Sequence, residues 1–208
     1  MDDLRVKEIL LGNLGFTQEN LNKLKIFHDE LLKYNKKYNL ISKSTENDIW
    51  NRHFLDSAQI VKYIEFKDAE SLCDLGSGAG FPGMVLAIFN KNPEFHVKLY
   101  EKSPVKCDFL SKIVKITDTK AEIMSGSYSS HKIDASYIVS RAFKKLPEII
   151  RISREIAKKS HKLIILKGKN AQEEINKAFQ STNFKYKLEK SITDNKSKII
   201  ISNATKSE

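Results

Sequence analysis

The chain has 208 residues, 40% of them apolar, with only eight glycines and four prolines; this fits one globular domain with a sizeable core and excludes a disordered or low-complexity chain. Thirty-six basic against 26 acidic residues give a formal charge of +10, which favours an anionic partner such as nucleic acid, although only five of the bases are arginines and a Lys-, Asn- and Ile-rich composition also follows from AT-rich coding sequence. No run approaches the roughly 18 apolar residues that span a bilayer, and MDDLRVKEIL lacks the basic start and apolar run of a signal peptide, so a cytoplasmic protein with no membrane partner is expected.

The first third reads as helical. Thr17 is a suitable N-cap, and apolar residues then recur at Leu21, Leu24, Phe27, Leu31, Tyr34 and Tyr38, a spacing that predicts one amphipathic helix. YNLISKSTEND follows as a polar turn region. A second helix is predicted after Ser44 or Thr45, carrying Ile49, His53, Ala58, Val61 and Ile64. From Glu70 short strands alternate with helices. SLCDL (71–75) is a strand, then comes a helix over Gly83–Asn90 with Pro82 in its first turn, and then the strand FHVKLYE (95–101). A helix over Pro104–Ile116 leads to strands AEIM (121–124) and DASYIVS (134–140). A helix over Leu146–Lys159, a strand KLIILKG (162–168) and a helix AQEEINKAF (171–179) complete the alternation. FKYKLEKS and KSKIIISNA, around Thr193-Asp194-Asn195, predict a closing hairpin.

This order predicts an α/β fold: a Rossmann-like, mostly parallel seven-stranded sheet with a C-terminal antiparallel hairpin, preceded by N-terminal helices. Residues 1–66 are expected to pack as a helical region on a core formed by residues 67–208, the two making one structural unit. No long heptad or surplus apolar face appears, so a monomer is expected. Cys73 and Cys107 form no CxxC and sit in apolar surroundings, as reduced core residues do.

The first strand runs into CDLGSGAGFPG (73–83). In a doubly wound sheet the ligand lies over the carboxyl ends of the strands, at the switch point beside the first one. Gly76, Gly78 and Gly80 let the backbone approach a ligand with no Cβ in the way. Gly78-x-Gly80-x-x-Gly83 satisfies the dinucleotide fingerprint, with Glu101 at a suitable distance to bind a ribose. S-adenosylmethionine (SAM) sites want the same glycines and the same acid, because a ribose diol donates two hydrogen bonds to a carboxylate in either ligand. Asp74 favours SAM: its carboxylate can meet the cationic methionine moiety, directly or through water, and would repel a pyrophosphate. Its alternative role is to cap the backbone amides of the loop.

DLGSGAGFPG (74–83), NRHFLDS (51–57), the NL of YNKKYNL (34–40) and SRAF with LPE (140–148) occur in the order and approximate spacing of the RsmG family, also called GidB. The chain resembles that family from about residue 20 to residue 180. The resemblance implies a bacterial SAM-dependent methyltransferase that modifies N7 of a guanine in the 530 loop of 16S rRNA, free or in a small-subunit precursor. SAM would be the methyl donor, with no metal. Gly76 and Phe81 look like family cofactor contacts, and Glu101 in EKSPVKCDFL is similar to the acid that holds the SAM ribose. Asp74, Ser77, Gly78, Gly80 and Lys102 complete the expected loop contacts. Arg141 in SRAF resembles the family arginine beside cofactor and target. Where the family has a GRAE-like turn that touches adenine, this chain reads Gly126-Ser127-Tyr128-Ser129, so Tyr128 and Ser129 stand in that place without the carboxylate.

Guanine N7 carries a lone pair and no proton, so its methylation needs in-line placement and no general base. No catalytic group is therefore assigned with certainty. Arg141 is the candidate, since its planar guanidinium suits a phosphate or a base edge; its structural alternative is an ion pair with Asp74 or Glu101. His53 and Asp56 lie three apart, on one face of the second helix. With Arg52 they would close over the pocket and touch RNA, or else form a polar network that anchors the N-terminal helices. Lys167 is either a contact to RNA or a solvated lysine, and Phe143 either stacks a base or fills the core. A noncatalytic RNA-binding or assembly factor, or a small-molecule methyltransferase on the same scaffold, would share these features.

Overall fold

In the computed structural model, which describes residues 1–179 and 185–204, seven strands form one sheet in the order β3-β2-β1-β4-β5-β7-β6. They are β1 Ser71–Leu75, β2 His96–Glu101, β3 Glu122–Ser125, β4 Tyr137–Arg141, β5 His161–Lys167, β6 Lys187–Lys190 and β7 Lys198–Ala204. β1 to β5 are parallel, and β7 runs antiparallel between β5 and β6. The α/β class and the closing hairpin are as the sequence predicts; Phe184, where the hairpin was expected to start, lies outside the described residues.

Parallel strands covered on both faces are apolar on both faces, and β1 is buried along its whole length. Leu72 packs with Val97, Leu99 and Val139 in an apolar cluster that takes in α1 (Asp3–Gly12), α2 (Gln18–Tyr38), α4 (Gly83–Phe89) and α5 (Pro104–Ile116). Cys73 and Leu75 point the other way, into a cluster with Ile138, Leu163 and Ile165 under α6 (Leu146–Ile156) and α7 (Ala171–Phe179). Both cysteines are free and buried.

The α2 helix starts as its sequence predicts. Thr17 Oγ1 accepts from Asn20 N, and the Asn20 side chain accepts in return from Thr17 N, a complete capping box. Phe27 then packs against Phe54, Phe81 and Phe109, which ties α2 to the glycine loop and to α5. An ion pair between Lys112 and Glu30 joins the same two helices at their rim.

The second predicted helix is not continuous. A 3₁₀ segment (Lys43–Asp48) leads into a π-helical turn (Trp50–Leu55), one α-helical turn α3 (Asp56–Ala58) and a 3₁₀ turn (Val61–Tyr63). Asp56 N reaches back five residues to the carbonyl of Asn51. The wider winding buries Trp50, His53, Phe54 and Leu55 together, which a 3.6-residue period does not. Two smaller differences have local causes. α6 stops at Ile156 because Ala157 becomes extended and bridges Ile133, and Pro82 stands at the N-cap of α4 rather than inside its first turn.

Gly83 opens α4 directly against the sheet. A Cβ there would lie 2.3 Å from Leu99 Cδ2 and 2.6 Å from Asp74 Cβ, both in buried side chains. Gly83→Ala is expected to destabilise the fold by about 1–3 kcal/mol, the cost of overpacking a core. Gly12→Ala, whose Cβ meets nothing within 4 Å, is expected to be neutral or slightly stabilising. Urea denaturation of the two variants checks both signs.

Candidate functional site

A cavity of about 520 Å³ opens over the carboxyl ends of β1 and β2. Its floor is the glycine loop, from Gly76 to Ala79 with Phe81. Gly76 has φ +71°, and a Cβ on it would come within 2.3 Å of Phe143 Cδ2, so the aromatic ring closes over the space that glycine leaves. Gly78, at φ +60°, donates its N–H to Glu101 Oε2 at 2.9 Å, and Ser103 N donates to Glu101 Oε1 at 2.8 Å. Two backbone donors thus fix the Glu101 carboxylate at the end of β2, while each oxygen keeps a lone pair for a ligand hydroxyl.

Most of the predicted loop and strand-end residues line this cavity: Gly76, Ser77, Gly78, Phe81, Glu101, Lys102, Tyr128 and Arg141. Three expected contacts do not. Asp74 is fully buried behind the loop; its Oδ2 accepts from Gly83 N at 2.9 Å, and among the described residues Oδ1 has no hydrogen-bond partner. The carboxylate caps α4 instead of facing a ligand, and burial pushes its pKa up to about 7. Gly80 is turned into the core, where a Cβ would crowd Met84, Leu110 and Phe27. Ser129 is exposed, with its hydroxyl bonded to Ser127, and it is Ser127 that reaches the cavity.

Other wall residues were missed. Leu40 and Ile41 line the cavity from the segment read as a polar turn. Asn39 ends α2 in the left-handed conformation, and Asn35 Oδ1 accepts from Ile41 N at 2.8 Å, which turns the chain inward. Two adjacent apolar residues in an otherwise polar stretch were the available signal. Phe143 lines the same cavity and meets Tyr128 edge-on at 5.3 Å.

A second cavity, of about 640 Å³, lies beside the first, and His53, Arg141 and Ala142 line both. Arg141 is fixed in this shared wall. Nη1 donates to the carbonyl of Arg52 at 3.0 Å and to Asp56 Oδ2 at 3.4 Å, Nη2 donates to His53 Nδ1 at 2.8 Å, and the guanidinium lies 4.9 Å over the Phe81 ring. The ion pair is therefore with Asp56, not with Asp74 or Glu101. His53 and Asp56 do belong to one polar network, built on a π-turn.

An arginine can only donate, so His53 Nδ1 accepts and Nε2 carries the proton, directed at Thr45 Oγ1 at 2.9 Å. Burial, with the charges of Arg141 and Arg52 nearby, holds the imidazole pKa down to about 3. The ring is neutral at physiological pH.

All four residues predicted to meet RNA, Arg52, His53, Arg141 and Lys167, line the second cavity. Arg52 is half exposed and pairs with Asp194 at 3.4 Å. Lys167 is not the solvated lysine considered from sequence: its side chain is only 8% exposed and donates to Glu174 Oε2 at 2.9 Å and to the Lys144 carbonyl at 2.5 Å. Lys169 and Lys198 add cationic groups to the same rim. Among the described residues no cluster of His, Cys, Asp and Glu could hold a metal, and no helix is long and apolar enough to cross a membrane.

Residues 20–202 match the family model of rRNA small subunit methyltransferase G, GidB. The chain is 38% identical over 197 residues to ribosomal RNA small subunit methyltransferase G of Orientia tsutsugamushi, covering 94% of this chain and 96% of that protein. It is 40% identical to the protein of the same name from Rickettsia felis, covering 91% and 96%. Among solved structures, a SAM-dependent methyltransferase from Aquifex aeolicus superposes with a TM-score of 0.60 at 13% identity, over 86% of this chain and 98% of that one. Aeropyrum pernix fibrillarin, solved with bound SAM, gives 0.55 at 14% identity, over 73% and 75%. At these identities the two structures speak for the fold alone.

The neutral imidazole has a measurable consequence. The unfolded chain takes up a proton on His53 below the ordinary value of 6.5, whereas the folded chain resists it down to about 3, so acidification through that window favours unfolding. Nitrogen-detected NMR is expected to show His53 as the neutral Nε2–H tautomer at pH 5. His53→Gln is expected to flatten the fall in stability between pH 6.5 and 4.

Proposed function

The chain belongs to the rRNA small subunit methyltransferase G (GidB) family, and on that premise we propose that it transfers the methyl group of SAM to N7 of a guanine in the 530 loop of 16S rRNA. The observation that carries this reading is the pair of cavities that share one wall, one holding the glycine loop and the fixed Glu101 carboxylate and the other rimmed with cations.

The first cavity suits SAM. The fixed Glu101 carboxylate can accept from both hydroxyls of a ribose, the loop backbone at Ser77 and Gly78 leaves room for close approach, and Leu40, Ile41 and Tyr128 offer apolar walls to a planar base. When bound, SAM supplies a methyl group made electrophilic by its sulfonium. The chain's own residues then have positioning work. Arg141, clamped by four neighbours, keeps a rigid cationic edge that borders both the donor and the acceptor cavity, and Arg52, Lys169 and Lys198 face the RNA phosphates. A guanine N7 gives up no proton, so no base is required; His53, with one ring nitrogen on Arg141 and the other on Thr45, is occupied in holding the wall.

The protein acts as a cytoplasmic monomer in which residues 1–66 and 67–208 form one unit. The apolar cluster shared by α1, α2, α4, α5 and the sheet supports the single unit.

Transfer of labelled methyl from SAM to small-subunit RNA of cells lacking this activity is expected, with loss of the label when the target guanine is replaced. SAM binding without any transfer to that RNA would sink the proposal. Gly78→Val, a branched side chain at φ +60°, is expected to abolish SAM binding in titration calorimetry. Arg141→Ala is expected to lower turnover by about 10²-fold, the scale of a misplaced reacting group, with a smaller change in SAM affinity. An Arg141→Ala protein that methylates normally would remove this residue from the mechanism.

A further inference from the structure

The second cavity contains two carboxylates that differ in what they have left to offer. Asp56 is committed. Its Oδ1 accepts from Gln59 Nε2 at 2.9 Å and Thr193 Oγ1 at 3.0 Å, and its Oδ2 pairs with Arg141. Glu174, on α7, is committed on one side only. Its Oε2 accepts from Leu146 N at 2.7 Å and from Lys167 Nζ at 2.9 Å, and among the described residues no donor meets Oε1. The two donors come from the start of α6 and the end of β5. They hold the carboxylate in place and leave one charged oxygen for an occupant of the cavity that Glu174 lines.

A fixed carboxylate oxygen selects among bases by chemistry. Guanine presents two adjacent donors, N1–H and the N2 amino group, on the edge opposite N7. Adenine presents an N1 lone pair on that edge, which a carboxylate repels. The shared wall of His53, Arg141 and Ala142 comes from the end of β4 and the π-turn, whereas Glu174 enters the same cavity from α7, tied to the end of β5 through Lys167. A purine with N7 at the wall turns its other edge away from it.

We infer that Glu174 Oε1 accepts from the N1–H and N2 amino edge of the target guanine and is the specificity-determining residue of the acceptor cavity; this rests on the guanine-N7 reading above. The contact also acts on rate. As the N7 lone pair forms its bond to the methyl carbon, the pair of the breaking carbon–sulfur bond returns to sulfur, and the positive charge arrives on the purine. No proton moves. The cationic purine is a stronger N1–H donor than the neutral one, so the bond to Glu174 tightens as transfer proceeds and favours the transition state over the bound substrate.

The test pairs a protein change with a base change. Small subunits are reconstituted with 16S rRNA carrying guanine or inosine at the target position; inosine lacks only the N2 amino group. Wild-type protein is expected to lose roughly tenfold in kcat/KM on inosine, the scale of one hydrogen bond to a charged acceptor. Glu174→Gln is expected to lose at least about as much on guanine and to be indifferent to the inosine change, with SAM affinity unaltered. Filter binding of the same subunits without SAM reads the discrimination independently of turnover, and the same pattern is expected there. Lys167→Gln breaks the same ion pair from its other side and is expected to keep the preference for guanine, which separates base reading from a role in holding α7. Equal inosine penalties in wild type and Glu174→Gln, or wild-type kcat/KM in Glu174→Gln, would overturn the inference. Wild-type protein that binds SAM but methylates neither subunit would overturn the underlying reading, and the role of Glu174 with it.

Discussion

Side chains alternate between the two faces of a strand, and this rule decides which chemistry each strand end contributes. Asp74 shares parity with Leu72, Glu101 with Leu99, and Arg141 with Val139, and all three apolar partners belong to the cluster under α4, α5 and the N-terminal helices. Three ionisable groups are thereby delivered to one face at the carboxyl end of the sheet. Lys167 shares parity with Ile165, on the opposite face, and so meets Glu174 of α7. A one-residue slip of β4 would exchange Arg141 for Ser140 and dismantle the wall between the cavities.

That wall is also an electrostatic arrangement. In the proposed reaction a positive charge moves from the sulfur of SAM in one cavity to a base in the other, and a second cation in the wall would oppose both the donor and the product. Arg141 is offset by Asp56, and His53 stays neutral because it is buried between Arg141 and Arg52. Asp74 is the counterpart behind the loop. It is an acid whose burial disfavours its charge, and it is tolerated because it holds the first turn of α4 against β1.

Much of this was legible in the sequence. Alternating apolar runs and helical periods located every strand, and the N-cap at Thr17 and the span of α5 fell where the residues put them. Glycines followed by an acid at the next strand end located the first cavity. What could not be read was local winding and depth. The NRHFLDS segment has the composition of an ordinary helix, and only the packing of Trp50, Phe54 and Leu55 reveals the π-turn. Asp74 and Gly80 sit inside the recognisable loop, yet Gly80 faces Leu110, and of the two roles the sequence left open for Asp74 it is the capping of a backbone amide that the depth of the residue selects. Leu40, Ile41 and Glu174 belong to no glycine or acid motif; the first two reach their cavity through the reversal at Asn39 and Glu174 through the docking of α7 on the start of α6, neither of which a linear pattern encodes.

The closure of Phe143 over Gly76 carries a consequence for how such a site can change over time. The ring occupies the place where any side chain at position 76 would begin, so the two positions, far apart in sequence, are one packing unit. Ala142, between Arg141 and Phe143, has φ +51°, so the turn that aims the ring disfavours bulky or β-branched residues there. Substitution at 76, 142 or 143 is thus not three independent trials. A lineage that enlarged position 76 would first have to shrink position 143, and the pocket's shape would drift in paired steps rather than single ones.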